Sequence, residues 1–432
     1  MNQIIITYGN RTFDLSELLV NLYVKPAVLL MIYYGFFARQ QGLLGIGGGM
    51  LTAILSFGLF AYCAYHFLFI KKQQRLSQLA TLISAFFVLI ALTPFLSAFI
   101  FDGDPKAIFR YSFEIAVAFF LFFSIYYVIR SKIITPRFFI YAIAILGFIA
   151  AFQVIFNLFG ISQLRRLSIG LGSVNYTANS FTICLIGWIA IIYKNYIFEQ
   201  PSRTKLLIYI LLAFLVFIVV FLSGTRSAAI AFLFGIVFFQ YFGMKSKKVN
   251  RIIVYILILF ILFFIYLSTK IDLTFFLDRF TTEQIKRMAL IRFNQYAISV
   301  TDLTLWEFLI GRPDLYTFSD SSSGTRFINT HNFILSLIRY NGILPFILLI
   351  VLGITIIYTY LKNFTIRKVN KRLRLSEATI IVFLVIVFIY AMFSGGRLTR
   401  MFSFYMVAGY AIGYFDLMKT ELYRKNQKKF IL

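Results

Sequence analysis

The run Leu206–Leu222, LLIYILLAFLVFIVVFL, ends at Ser223-Gly224-Thr225-Arg226-Ser227, and a second run, AAIAFLFGIVFFQYFGM, fills 228–244. Neither run holds a charged residue. Each has roughly the 17–25 residues that a helix needs to cross a hydrocarbon core of about 30 Å. A bilayer interior cannot solvate open backbone groups, so blocks of this kind are helices. Barrel strands would give short alternating segments instead, and none are evident. The polar stretch 223–227 leaves room only for a tight turn, so the two helices form a hairpin.

The same reading applied outward predicts helices near 19–38, 50–70, 78–100, 107–129, 138–159 and 178–197 before the hairpin, which supplies 206–222 and 227–244. It predicts 252–268, 332–360, 378–395 and 401–418 after it. Lys25 and Pro26 interrupt the first of these. The expected fold is an all-α integral membrane protein with about twelve spanning helices. The whole chain agrees: of 432 residues, 60% are hydrophobic and only 13% charged, too few charges for a soluble surface. The organisation expected is 1–268 for nine helices, 269–331 for one large outer loop, and 332–432 for three helices and a basic tail.

A net charge of +26 invites a nucleic-acid reading, but the charges sit in short clusters between apolar blocks, which is how a membrane protein orients itself. Lys71, Lys72 and Arg75 follow the second predicted helix, and Arg130, Lys132 and Arg137 the fourth. Lys194, Arg203 and Lys205 surround the exit of the sixth; Lys245, Lys247, Lys248 and Arg251 follow the eighth. Lys362 to Arg374 and Lys419 to Lys429 mark the tenth and twelfth. Every even-numbered exit is basic, so these exits and both termini are expected in the cytoplasm. Met1 to Val20 lacks a basic start and a small-residue cleavage site, so no cleaved signal peptide is expected. Cys63 and Cys184 lie inside apolar blocks and read as core residues.

The opposite side carries mostly arginine: Arg39, Arg165, Arg166, Arg226, Arg279, Arg287, Arg292, Arg312, Arg326, Arg397 and Arg400, against Lys106, Lys270 and Lys286. Guanidinium forks fit phosphate and carboxylate, and arginines in short outer loops work against topology, so an anion site is expected there. Surface charge pairing with lipid headgroups is the plainer alternative. Arg226 opens a helix, where free N–H groups and the dipole favour phosphate. Arg339 sits two turns into the tenth predicted helix, where a charge needs a cavity or a partner, and is expected to line the same outward cavity.

His331, in Thr330-His331-Asn332-Phe333, is the one histidine on the arginine-rich side, and an unperturbed imidazole can take a proton from a hydroxyl near neutral pH. His66, at the other side, reads as structural. Residues 281–300 have the pattern of an amphipathic helix lying on the membrane, and the Ser-, Gly- and Asp-rich stretch 314–330 is a lid candidate. Arg110 and Glu114 neutralise each other at i, i+4. Asp102 and Asp104 are a solvated loop pair; no metal or nucleotide motif occurs, and no cofactor is expected.

Together these segments resemble the bacterial O-antigen polymerase and O-antigen ligase superfamily. Three pieces carry the resemblance in order. Leu222-Ser-Gly-Thr-Arg226-Ser-Ala228 is similar to the family's Ser-Gly-(Ser/Thr)-Arg turn; Arg292, then Trp306 and Gly311, to its arginine, helix and local glycine; Thr330-His331-Asn332-Phe-Ile-Leu335 with Gly342 to its His-Asn-x-x-Leu and glycine. Arg166 with Asn175-Tyr-Thr-Ala-Asn179 is a weaker piece. The chain departs from the pattern at Gly311-Arg312-Pro313, where the family often has Gly-x-Gly, and at Arg339-Tyr340-Asn341, where it often has an acid.

The resemblance implies a GT-C-like, metal-independent, inverting glycosyltransferase of the bacterial plasma (inner) membrane, with its site facing the periplasm or exterior. Its donor would be an undecaprenyl-diphosphate-linked saccharide. Its acceptor would be a lipid-linked saccharide in a polymerase, or lipid A-core in a ligase, with a chain-length regulator as a further partner. Arg226 and Arg292 would hold the diphosphate and His331 would deprotonate the acceptor hydroxyl, with Arg166, Asn332, Arg339 and Arg397 contacting substrate. A lipid-linked oligosaccharide flippase is the alternative of another class, and would show internal repeats and a midplane cavity.

Overall fold

The structure is a computed structural model that describes residues 5–8, 11–14, 18–38, 42–43, 46–70, 76–101, 104–156, 174–196, 202–242, 247–270, 272, 274–312, 318–319, 326–327, 332–367, 371–393 and 401–430. Helices dominate it: α1 Val20–Phe37, α2 Gly48–Ile70, α3 Gln78–Phe101, α4 Pro105–Arg130 and α5 Pro136–Phe156. After these come α6 Val174–Lys194, α7 Arg203–Leu222, α8 Arg226–Phe242 and α9 Lys247–Ser268. The stretch that follows supplies α10 Thr282–Thr301 and α11 Leu305–Ile310. The chain closes with α12 Phe333–Asn341, α13 Ile343–Arg367, α14 Lys371–Phe393 and α15 Phe402–Phe430. Short antiparallel hairpins pair β1 Ile5–Tyr8 with β2 Arg11–Asp14, β3 Gly42–Leu43 with β4 Ile46–Gly47, and β5 Phe318–Ser319 with β6 Arg326–Phe327.

Among the described residues seven helices are long and apolar enough to span a membrane: α1 to α5, α7, and α14 over Leu375–Met392. Shorter apolar helices stand beside them at Ala178–Lys194, Arg226–Tyr241, Ile253–Ser268 and Ile343–Ile356. The chain is a multi-pass, all-α membrane protein. Phe57, Phe99, Leu233 and Ile261 turn outward, a distribution that suits acyl chains and not water.

Lipid tails are as apolar as leucine, so helices in a bilayer associate through close packing. The longest seam joins α4 to α15, and it is built that way. Gly409 and Gly413 lie one turn apart on α15, and a methyl group at either would strike the α4 backbone at the carbonyls of Phe122 and Tyr126. Beside the seam, Phe139 of α5 stacks on Tyr410 of α15 with ring centres 4.5 Å apart. Tyr126 donates to Asp416 across it at 2.9 Å and accepts from Arg130 at 2.9 Å.

Lys25 and Pro26 do not break the first helix. Wider π turns flank its central α segment and accommodate Pro26 in that segment's first turn, and Lys25 donates to Asn21 at 2.6 Å. The expected single helix over 332–360 is corrected: the chain breaks at Gly342, whose φ of 79° no helix can hold, into the short α12 and the long α13. The ends of α13, α14 and α15 also run into the basic stretches that the sequence suggested as loops.

Candidate functional site

The hairpin turn is built as its composition requires. Ser223 closes α7 with its N–H on the carbonyl of Val219, and its hydroxyl accepts from the Thr225 N–H at 3.2 Å. Gly224 takes φ 61°, and the Thr225 carbonyl receives the N–H groups of Ala228 and Ala229. Arg226 is therefore the first residue of α8. Asn179 of α6 donates to Ser227 at 3.4 Å, so two of the pieces that carry the resemblance meet here.

The segment between α9 and α12 docks at this end of the bundle. Phe280, just before α10, stacks on Phe221 of α7 with centroids 6.4 Å apart. That docking brings Arg292, halfway along α10, near Arg226. Burial pushes the Arg292 guanidinium below its ordinary range; Tyr296, one turn on, acts upward, and the charge of Arg226 acts downward again. Tyr296 is itself raised, by burial first, with Arg292 opposing. Arg292 Nη1 is buried and has no hydrogen-bond partner among the described residues. A buried guanidinium N–H that no described residue satisfies, under the charge of a second arginine, is an arrangement that an anion would neutralise.

Arg339 is placed differently. It is almost wholly buried, and its Nη1 donates to the carbonyl of Ser299 at 3.1 Å while Nη2 lies 3.6 Å from Asp302. Ser299 is in the last turn of α10 and Asp302 caps that helix, so Arg339 meets the negative end of the α10 dipole. It fixes the helix that carries Arg292. Asn332 is the N-cap of α12, its side-chain Oδ1 accepting from the N–H groups of Ile334 and Leu335 at 2.9 and 3.2 Å. His331, Arg166 and Arg397 lie outside the described residues, as do Asp102 and Arg400.

Sequence reasoning missed the frame behind the site. The Thr304–Glu307 capping box starts α11, and Arg312 donates to Glu307 at 2.8 Å while lying 5.3 Å from the centre of the Phe101 ring. The Glu307 carboxyl is pushed up by burial but lowered overall by the Thr304 N–H, by Arg312 and by the Thr304 hydroxyl. Asn341 was also missed. Pro94 in α3 has no N–H for the Ile90 carbonyl, and the Asn341 amide donates to that carbonyl at 3.0 Å and to Thr93 at 2.8 Å. Pro94 was the available signal, since a proline inside a helix leaves a carbonyl in need of a donor.

The structural readings of other polar residues hold. Arg110 and Glu114 lie 3.7 Å apart, His66 shares a 2.8 Å hydrogen bond with Tyr127, and Cys63 and Cys184 are buried free thiols. Asp104 caps α4 through the Lys106 N–H at 3.0 Å. No family model matches the chain, and no curated protein sequence matches it.

Proposed function

We propose that the protein is a surface-polysaccharide polymerase of the O-antigen type, joining undecaprenyl-diphosphate-linked oligosaccharide repeats at the outer face of the bacterial plasma membrane. The reading takes twelve spanning helices in a GT-C-like arrangement, both termini in the cytoplasm, and the α10–α11 segment outside. The observation that carries it is the buried Nη1 of Arg292, without a hydrogen-bond partner among the described residues, under the charge of Arg226. A lipid diphosphate is the anion such a pair suits, because its charge grows as it leaves.

In the reaction, the bond between the sugar C1 and the diphosphate oxygen breaks. A bond from C1 to an acceptor hydroxyl oxygen forms on the opposite face, with inversion. His331 takes the hydroxyl proton, and undecaprenyl diphosphate departs against Arg226 and Arg292. The growing chain is the donor and the incoming lipid-linked repeat the acceptor. Arg166, Asn332 and Arg397 contact substrate in this reading, and Arg339 acts through α10.

Purified protein supplied with the lipid-linked repeat alone tests this. A ladder of products is expected. Product only when lipid A-core is added would make the protein a ligase. Movement of the lipid across proteoliposomes with no covalent product would make it a flippase.

A further inference from the structure

We propose a second anion site, at the opposite end of the bundle: a cleft between α5, α6 and α14 that holds the phosphate of an anionic phospholipid. The cleft is open to the surface, with a cavity volume of about 50 Å³. Arg137, in the first turn of α5, and Lys194, the last residue of α6, line it together with Tyr141 and Ser376. The Lys194 ammonium lies 5.7 Å from the centre of the Tyr141 ring, which holds it at the rim. Ile191 and Leu375 supply an apolar wall, and among the described residues no carboxylate lines the cleft.

A cleft lined by two cations and no carboxylate selects an anion. A soluble anion has no use for the apolar wall, whereas the upper acyl chain of a phospholipid does. The location agrees. Arg130 ends α4, Arg203 and Lys205 begin α7, and these basic helix ends share this side of the bundle, where the charge pattern predicts the anionic leaflet. The inference is independent of any glycosyl transfer, so either can fail alone.

The test is native mass spectrometry of detergent-purified protein titrated with phosphatidylglycerol or with phosphatidylcholine of the same chains. The protein is expected to retain phosphatidylglycerol preferentially. The double variant Arg137→Gln, Lys194→Gln should lose that preference, on the order of tenfold in apparent affinity. Lys205→Gln, an exposed basic position outside the cleft, should keep it. The charge-preserving pair Arg137→Lys, Lys194→Arg should keep it too, which separates charge from folding. Unchanged preference in the double glutamine variant would overturn the site. Displacement of the lipid by equimolar inorganic phosphate would overturn the lipid assignment in favour of a soluble anion.

Discussion

Gly311 and Gly342 lie back to back, each with positive φ, so that a methyl group on either would collide with the other's backbone segment. Gly311 ends α11 and Gly342 ends α12, and the Arg312 N–H donates to the Arg339 carbonyl at 2.7 Å across the contact. The obstacle at Gly342 is the Leu309 carbonyl, which is main chain and cannot rotate away. Gly342→Ala is expected to cost about 2 kcal/mol or more from strain alone. Thermal unfolding in detergent should show the loss, and a melting curve matching the parent would refute the contact.

Arg226→Lys should fold normally and lose most activity. The ammonium keeps the charge but not the two-pronged fork on which the proposed diphosphate site depends. A fall on the order of a hundredfold in polymer formation is expected. Near-normal polymer length in this variant would remove Arg226 from the site.

Arg339→Met should behave as a positioning defect. Without the guanidinium the last turn of α10 loses its cationic partner, and Arg292 loses a fixed support. Hydrogen exchange across 290–302 should quicken and activity should fall, with partial rescue by Arg339→Lys through the same dipole. Unchanged exchange alongside lost activity would point to direct substrate contact instead.

The docking of α11 should be acid-sensitive. Glu307 is held below its ordinary 4.5 in the folded protein, so it stabilises the fold above that pH and loses its contribution as pH falls through the lower, folded value. Trp306 fluorescence should be flat between about pH 7 and 5 and shift below about 4.5. Glu307→Gln should abolish that acid transition.

Transfer should proceed in chelator. If a divalent ion restored activity lost to chelation, the arginine pair would no longer be the main counter-charge and Asp102 would need a role.

The spanning helices were legible because uninterrupted apolar length is a direct consequence of bilayer thickness. The break at Gly342 was not, since apolar residues continue on both sides; Asn341-Gly342 followed by Pro345 is the stop-and-restart signal in that run. Motif order suggested that Ser223–Arg226 and Arg292 belong together, but apolar periodicity carries no information on which outer segment docks on which hairpin. Arg339 looked like a cavity charge because its depth was readable and its partners, 40 residues away at Ser299, were not.

The Asn341 amide reaches back 251 residues to the Ile90 carbonyl. A ribosome that has released α3 into the membrane has therefore delivered a helix whose polar inventory is still open, with the Thr93 hydroxyl, 3.2 Å away, as its interim donor. The helix is completed only when the C-terminal third of the chain has been inserted. Fragments ending before residue 341 should thus be poorer at leaving the insertion machinery than their hydropathy implies, and completion of α3 waits on the synthesis of α12.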